Sequence, residues 1–331
     1  GKLNCNSSDI CTNHKVYCEK LKMFFLDCQQ RFDVNYWKLD GFLVRPPQPD
    51  PQGNYISGGY QGMCYVTEHW ERWIDIFQAM RDQRGAKRND LWINLTCYVN
   101  PSPWFLQWGN SVWMQNSQDI GRLNVKRPSQ LDQLLSYRDD RYFDFVKTRA
   151  FQFPLAHLYN HDPIYGNTAN LAGKMDDDEF RTYLMMMATR GSAFWELYYS
   201  YNMMNEGQKW VINADVLHWI NDNYETLKHA KLIGQTPAKG TPYGYSAWSG
   251  QEGIISVRNP SDEVKEFTFP LDRTIGMPEG LKGLHRTYVW AYRTDEQKAE
   301  DTENHLFDYG GQISLSLQPG EVRIWKFSTV P

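Results

Sequence analysis

Two periodicities divide this chain and constrain its fold more than any single motif. Up to about residue 230, segments with apolar residues at helical spacing alternate with short apolar strands; from Lys239 onward only short alternating strands remain, separated by turns. Strands that alternate with helices form parallel βα units, whereas strands joined by turns pair antiparallel. The expected architecture is α/β over residues 1–238, followed by an all-β antiparallel sandwich over 239–331.

Residues 14–31 place Val16, Leu21, Phe24 and Phe25 at helical spacing and lead into a strand at 34–40. A second helix over 67–83 carries Trp70, Trp73, Ile74 and Phe77, the i, i+3, i+4, i+7 stripe of a helix packed on a sheet. Further strands are expected at 91–97, 111–116, 150–157 and 192–199, a helical turn at 103–108, and helices at 176–189 and 213–230. Asp176, Asp177, Asp178 and Glu179 suit the positive end of a helix dipole, so the run reads as a helix start and not as a metal site. In the last region, strands are expected at 253–257, 266–269, 287–290, 312–317 and 321–327.

The strand at 34–40 contains the most informative residues. Its alternation puts Tyr36, Lys38 and Asp40 on one face, with a lysine and a carboxylate pointing the same way. Asp40 closes the strand beside Gly41, where a ligand can approach the backbone. A Pro/Gly-rich loop over 45–62 follows, of the kind found at the top of an α/β barrel. A surface pair on a half-buried strand is the plain alternative. The strand near 111–116 also ends toward a carboxylate, Asp119, in the segment Ser117-Gln118-Asp119-Ile120-Gly121.

Composition excludes several classes. A net charge of -4 gives no basic footprint for nucleic acid, and no apolar run reaches the roughly 18 residues of a membrane span. The opening residues GKLNCNSSD hold no apolar stretch of a signal peptide. Thirteen tryptophans, many near expected strand ends, favour flat apolar ligands such as the faces of sugar rings, although core packing accounts for most of them. Cys5, Cys11, Cys18, Cys28, Cys64 and Cys97 match no zinc spacing, so no metal and no cofactor are expected. Cys5 with Cys11 is the one attractive local disulfide; Cys18 and Cys28 share a helix too far apart to bond, and free thiols are otherwise expected.

Two carboxylates at the C-terminal ends of different parallel strands are the minimal machinery for hydrolysing a glycosidic bond. Here the chain resembles a known family. Tyr36-Trp37-Lys38-Leu39-Asp40 looks like the Y-x-K-x-D nucleophile motif of the melibiase-type α-galactosidases and their α-N-acetylgalactosaminidase relatives. Asp119 falls two strands later, where those enzymes place the acid/base, and the likeness extends over roughly residues 14–331. The stretch from Leu91 to Gly121, with Trp92-Ile93-Asn94-Leu95-Thr96-Cys97 and Asn100-Pro101-Ser102-Pro103-Trp104, is also similar to secreted bacterial barrel proteins loosely labelled enterotoxin-like.

The resemblance implies the C-terminal part of a (β/α)8 barrel, with about five of its βα units, followed by the β-sandwich. It implies a retaining α-glycosidase acting on terminal α-linked galactose or N-acetylgalactosamine, with Asp40 as nucleophile, Asp119 as acid/base and Lys38 as a ligand of sugar hydroxyls. Trp92, Asn94, Thr96, Trp104, His157 and Glu196 are further substrate-binding candidates from strand-end position. For His157 the alternative is a core histidine bonded to backbone, and for Glu196 a buried partner of Arg190. An extracellular or periplasmic location follows from that function. Five parallel strands do not close an eight-strand barrel, so the strand at 34–40 is expected at an open edge, with self-association or a completing N-terminal half as the consequence. Two rivals remain: a carbohydrate-binding or interaction module derived from such an enzyme and inactive as it stands, and an unrelated α/β protein with an accidental motif.

Overall fold

The computed structural model describes residues 15–40, 63–86, 88–96, 101–123, 129–151, 153–167, 175–294 and 305–329, with backbone alone for 63–66 and 68. The expected loop at 45–62 and the cysteines Cys5, Cys11 and Cys97 lie outside the described residues. The chain divides into two compact units, Gly1–Gln115 and Asn116–Pro331.

In the first unit, helix α1 (Lys15–Phe32) leads into β1 (Tyr36–Leu39), and helix α2 (Met63–Gly85) leads into β2 (Trp92–Leu95). A 3-10 turn over Pro103–Gln107 precedes β3 (Ser111–Trp113). The three strands pair in parallel in the order β1-β2-β3, with Lys38 opposite Asn94 and Asn94 opposite Ser111. Among the described residues β1 is the terminal strand of this sheet, as its expected edge position requires. Trp37 points away from the polar face: its ring meets Phe25 of α1 edge-on at 4.8 Å, and its Nε1 donates to Gln29 at 3.2 Å. The inner stripe of α1 is Cys18, Phe25 and Gln29, while Val16 and Phe24 are exposed, which corrects the sequence-based face. Gln29 takes a core position because its amide is satisfied by the Met80 carbonyl and the Gln83 side chain. In α2, Trp70, Trp73, Ile76, Phe77 and Met80 are buried. Cys18 and Cys28 are free thiols.

The second unit opens with helix α3 (Gln130–Phe143), continued by a π-helical turn over Asp144–Thr148. Its inner side mixes Leu131, Leu135 and Tyr142 with buried Asp132, Ser136, Arg138 and Asp139, so the helical period does not show as an apolar one. A 3-10 turn over Leu155–His157, β4 (Leu158–Tyr159) and β5 (Ile164–Tyr165) follow. Among the described residues of 150–157 the expected strand is absent. Helix α4 (Asp177–Ala188) starts as its acidic run predicts, with Asp176 as N-cap and Glu179 completing a capping box. The strand expected at 192–199 is reduced to β6 (Tyr198–Tyr199), parallel to β5. Short helix α5 (Tyr201–Met204) and long helix α6 (Lys209–Leu227) complete the helical layer.

The remaining strands are antiparallel. They are β7 (Lys231–Gly234), β8 (Tyr243–Ser249), β9 (Glu252–Arg258), β10 (Lys265–Pro270), β11 (His285–Tyr292), β12 (Gln312–Leu317) and β13 (Val322–Ser328). A five-stranded sheet runs β11-β13-β9-β8-β7, and β10 pairs with β12. All five strands expected in this region are present; β7 and β8 are additional. The two sheets enclose one core with Trp248, Ile255, Val257, Phe267, Phe269, Leu315, Trp325 and Phe327. The opposite face of the larger sheet is also buried, against helices: Tyr243 and Tyr245 reach Asp139 of α3, and Ser256 of β9 bonds Thr189 beyond α4. Burial on both faces explains why β8 lacks a hydrophobic-in, polar-out pattern.

Candidate active site

In the first unit the face of the sheet opposite α1 is polar and internally bonded. Register sets Tyr36 beside Trp92 and Lys38 beside Asn94, so these four side chains share one face. Asn94 is completely buried; its amide donates to the Tyr36 hydroxyl at 2.7 Å, and its oxygen accepts from Trp92 Nε1 at 2.9 Å. Trp92 Nε1 also reaches Ser111 Oγ at 3.2 Å, which extends the row across all three strands. Thr96 is buried just past β2, its amide donating to the Leu39 carbonyl at 3.1 Å. Asp40 follows β1 directly and is exposed. Trp104 is 42% exposed and stacks into an aromatic cluster, 4.9 Å from Trp70 and 4.6 Å from Trp108 between ring centres.

In the second unit the structure joins two predicted carboxylates through a histidine that was not predicted. His161 Nε2 lies 3.2 Å from Asp119 Oδ1, and its Nδ1 forms a short contact with Glu196 Oε2. The Asp119 side chain is 68% exposed and that of Glu196 only 9%, so the imidazole runs from a buried carboxylate to a solvent-facing one. The Tyr198 ring meets His161 edge-on at 5.0 Å.

The backbone around this trio is held by α3. Buried Arg138 donates to the carbonyls of Gln118 (3.1 Å) and Asp119 (2.8 Å) and to the Ser117 hydroxyl, while its Nε bonds Asp162 at 2.9 Å. Tyr137 of the same helix accepts from the Gln118 amide at 2.8 Å. Gly121 passes so close to that ring that a Cβ there would sit 2.1 Å from it, so any other residue would push the Tyr137 ring aside. Asp162 also accepts from Arg190 at 3.0 Å, and its carbonyl accepts the Glu196 amide at 3.1 Å. One residue thus fixes both carboxylate-bearing segments.

The predicted residues separate accordingly. Lys38, Trp92 and Asn94 share the polar sheet face, with Thr96 at its end. Asp119 and Glu196 meet at His161. His157 sits in the 3-10 turn before β4 and not at a strand end. Arg190 is taken by Asp139 and Asp162, so the partner of Glu196 is His161 instead. Arg138 and Asp162 lie on segments with no regular apolar period; the polar run Tyr159-Asn160-His161-Asp162 was the one visible signal.

No family model matches the sequence, and no curated protein does. Solved structures do match. A GH27 β-L-arabinopyranosidase from Geobacillus stearothermophilus is 12% identical at a TM-score of 0.54, over 98% of this chain and 67% of that one. A protein proposed to be an α-N-acetylgalactosaminidase, from Bacillus halodurans, is 12% identical at 0.53, over the same shares. α-Galactosidase I from Mortierella vinacea is 14% identical at 0.50, over 91% and 70%. This chain has a glycoside hydrolase fold. The likeness to α-galactosidase-type enzymes that the sequence motifs implied is present in the tertiary structure, at identities where fold is what is shared. Within that glycosidase fold, the helix-and-strand region precedes an antiparallel β domain. No helix among the described residues is long and apolar enough to cross a membrane.

Proposed function

We propose that the chain is a retaining α-glycosidase of the α-galactosidase type, acting on terminal α-linked galactose or N-acetylgalactosamine. Asp40 attacks the anomeric carbon; Asp119 protonates the leaving oxygen and then activates water. Lys38 binds sugar hydroxyls, with Trp92, Asn94, Thr96, Trp104, His157 and Glu196 as further contacts. The observation that carries this reading is the position of Asp40, immediately after the strand whose Tyr36 and Lys38 face the bonded row of Trp92, Asn94 and Ser111, in a chain of glycosidase fold. Glycan hydrolysis of this kind places the protein in an extracellular or periplasmic space.

The experiment is covalent trapping. An activated 2-fluoro α-galactosyl donor should leave one glycosyl group on the chain, and peptide mass spectrometry should locate it at Asp40. A label on another carboxylate, or turnover with inversion of the anomeric centre by NMR, overturns the retaining assignment. Sugar binding by calorimetry without any turnover favours the alternative, a carbohydrate-binding module, for which the exposed ring of Trp104 supplies a stacking surface.

A further inference from the structure

The trio Asp119–His161–Glu196 calls for an explanation that pairwise stability does not give. An ion pair to a carboxylate as exposed as Asp119 contributes about 0–1 kcal/mol. Yet the imidazole is oriented from several sides: Glu196 at Nδ1, the Tyr198 ring at its edge, and the neighbouring Asp162 tied to Arg138 and Arg190. Asp162 and Arg138 are charged groups beside the trio, and Arg138 donates from Nη2 to the Asp119 carbonyl at 2.8 Å. The Asp119 carboxylate therefore takes its orientation from His161.

We propose that His161, backed by Glu196, is the positioning residue for the acid/base, a proposal that rests on the assignment of Asp119 to that role. A ring held at Nδ1 by one carboxylate and at Nε2 by another has its plane fixed. Oδ1 of Asp119 is engaged, which aims Oδ2 at the reacting oxygen. In the first step the Asp40 carboxylate bonds the anomeric carbon as the glycosidic C–O bond breaks and the proton on Asp119 Oδ2 passes to the departing oxygen; the leaving group departs as a neutral alcohol and Asp119 becomes a carboxylate. In the second, that carboxylate takes a proton from water, whose oxygen bonds the anomeric carbon and releases the carboxylate of Asp40.

The test compares His161→Gln, Glu196→Gln and Asp119→Ala with the wild-type chain on phenyl and dinitrophenyl α-galactosides. Losing a positioned acid slows the first step, which kcat/KM reports, only for the substrate whose leaving group needs protonation. His161→Gln should cut kcat/KM for the phenyl glycoside about 10- to 100-fold and change kcat/KM for the dinitrophenyl glycoside less than about 3-fold, with Asp119→Ala showing the same pattern more strongly. Glu196→Gln, which keeps a hydrogen-bonding oxygen, should be milder than His161→Gln. Equal losses on both substrates in His161→Gln mean a structural role and overturn the proposal. A flat response in Asp119→Ala, or no turnover in the wild type, overturns the glycosidase assignment instead. In that event the ring N–H resonances of His161 decide the pairing by themselves: Asp119→Ala should abolish the protected, downfield Nε2–H signal and keep the Nδ1–H signal. An unchanged pair of signals overturns it.

Discussion

Arg190 Nε donates to Asp139 Oδ1 at 2.7 Å, with the two side chains 2% and 0% exposed. This ion pair joins the end of α4 to the middle of α3 in the interior of the second unit. Burial alone would pull the guanidinium down; Asp139, the Tyr245 hydroxyl and Asp162 outweigh it and hold Arg190 well above its usual range. Asp139 in turn accepts from both Tyr243 (2.5 Å) and Tyr245 (2.7 Å), and Arg258 bonds Tyr243 and Asp132, so the helices and the large sheet share one buried polar network.

Removing one partner of a buried pair leaves the other charge without compensation. Arg190→Met should therefore destabilise the protein by about 3–5 kcal/mol, read from urea unfolding midpoints. A loss under about 1 kcal/mol would show that the network contributes little beyond its packing.

The same network predicts an alkaline limit. Burial raises Tyr142 to about 12, and Tyr183, Tyr243 and Tyr245 also stand above the ordinary tyrosine range because burial disfavours the phenolate. An unfolded tyrosine loses its proton near 10, so between about pH 10 and 12 the folded state binds more protons than the unfolded one. The stability from these groups is complete below pH 10 and falls as pH rises, by about 2 kcal/mol from Tyr142 alone at pH 12. Unfolding midpoints at pH 8, 10 and 11 should decline only over the last interval; a flat profile contradicts the assignment.

On the proposed function, Lys38→Met should reduce hydrolysis of a nitrophenyl α-galactoside or α-N-acetylgalactosaminide by about 100-fold or more while the circular dichroism spectrum is unchanged, because the positive ligand proposed for the sugar is lost. Asp40→Asn should reduce it by at least about 1,000-fold. Wild-type rates in either variant would move the chemistry to other residues.

Since β1 ends the parallel sheet among the described residues, we expect the chain to self-associate through that edge. Sedimentation velocity across micromolar concentrations should show a species heavier than 38.9 kDa growing with concentration. The bonds from β1 to β2 run through Asn35 and Leu39, which leaves the backbone groups of Tyr36 on the outer edge, so Tyr36→Pro, which removes an outward backbone donor, should reduce association. A strict monomer at every concentration sets the idea aside.

What the sequence determined by itself is whatever depends on local periodicity. The helices α1, α2, α4 and α6, the parallel strands around Lys38 and Asn94, and five alternating strands of the β domain were all legible, because each repeats every 2 or 3.6 residues, and the acidic run at Asp176 marked a helix start by its charge. The face of the sheet that carries Tyr36, Lys38, Trp92 and Asn94 was legible for the same reason. Tertiary structure decided the rest. Helix α3 escaped notice because its inner face holds Asp132, Arg138 and Asp139, residues that are stable there only because Arg258, Asp162 and Arg190 lie far along the chain and close in space. His161 gained its place between Asp119 and Glu196 in the same way: the contacts span 42 and 35 residues, and the pairing of β5 with β6, not any spacing in the sequence, brings Glu196 to the ring.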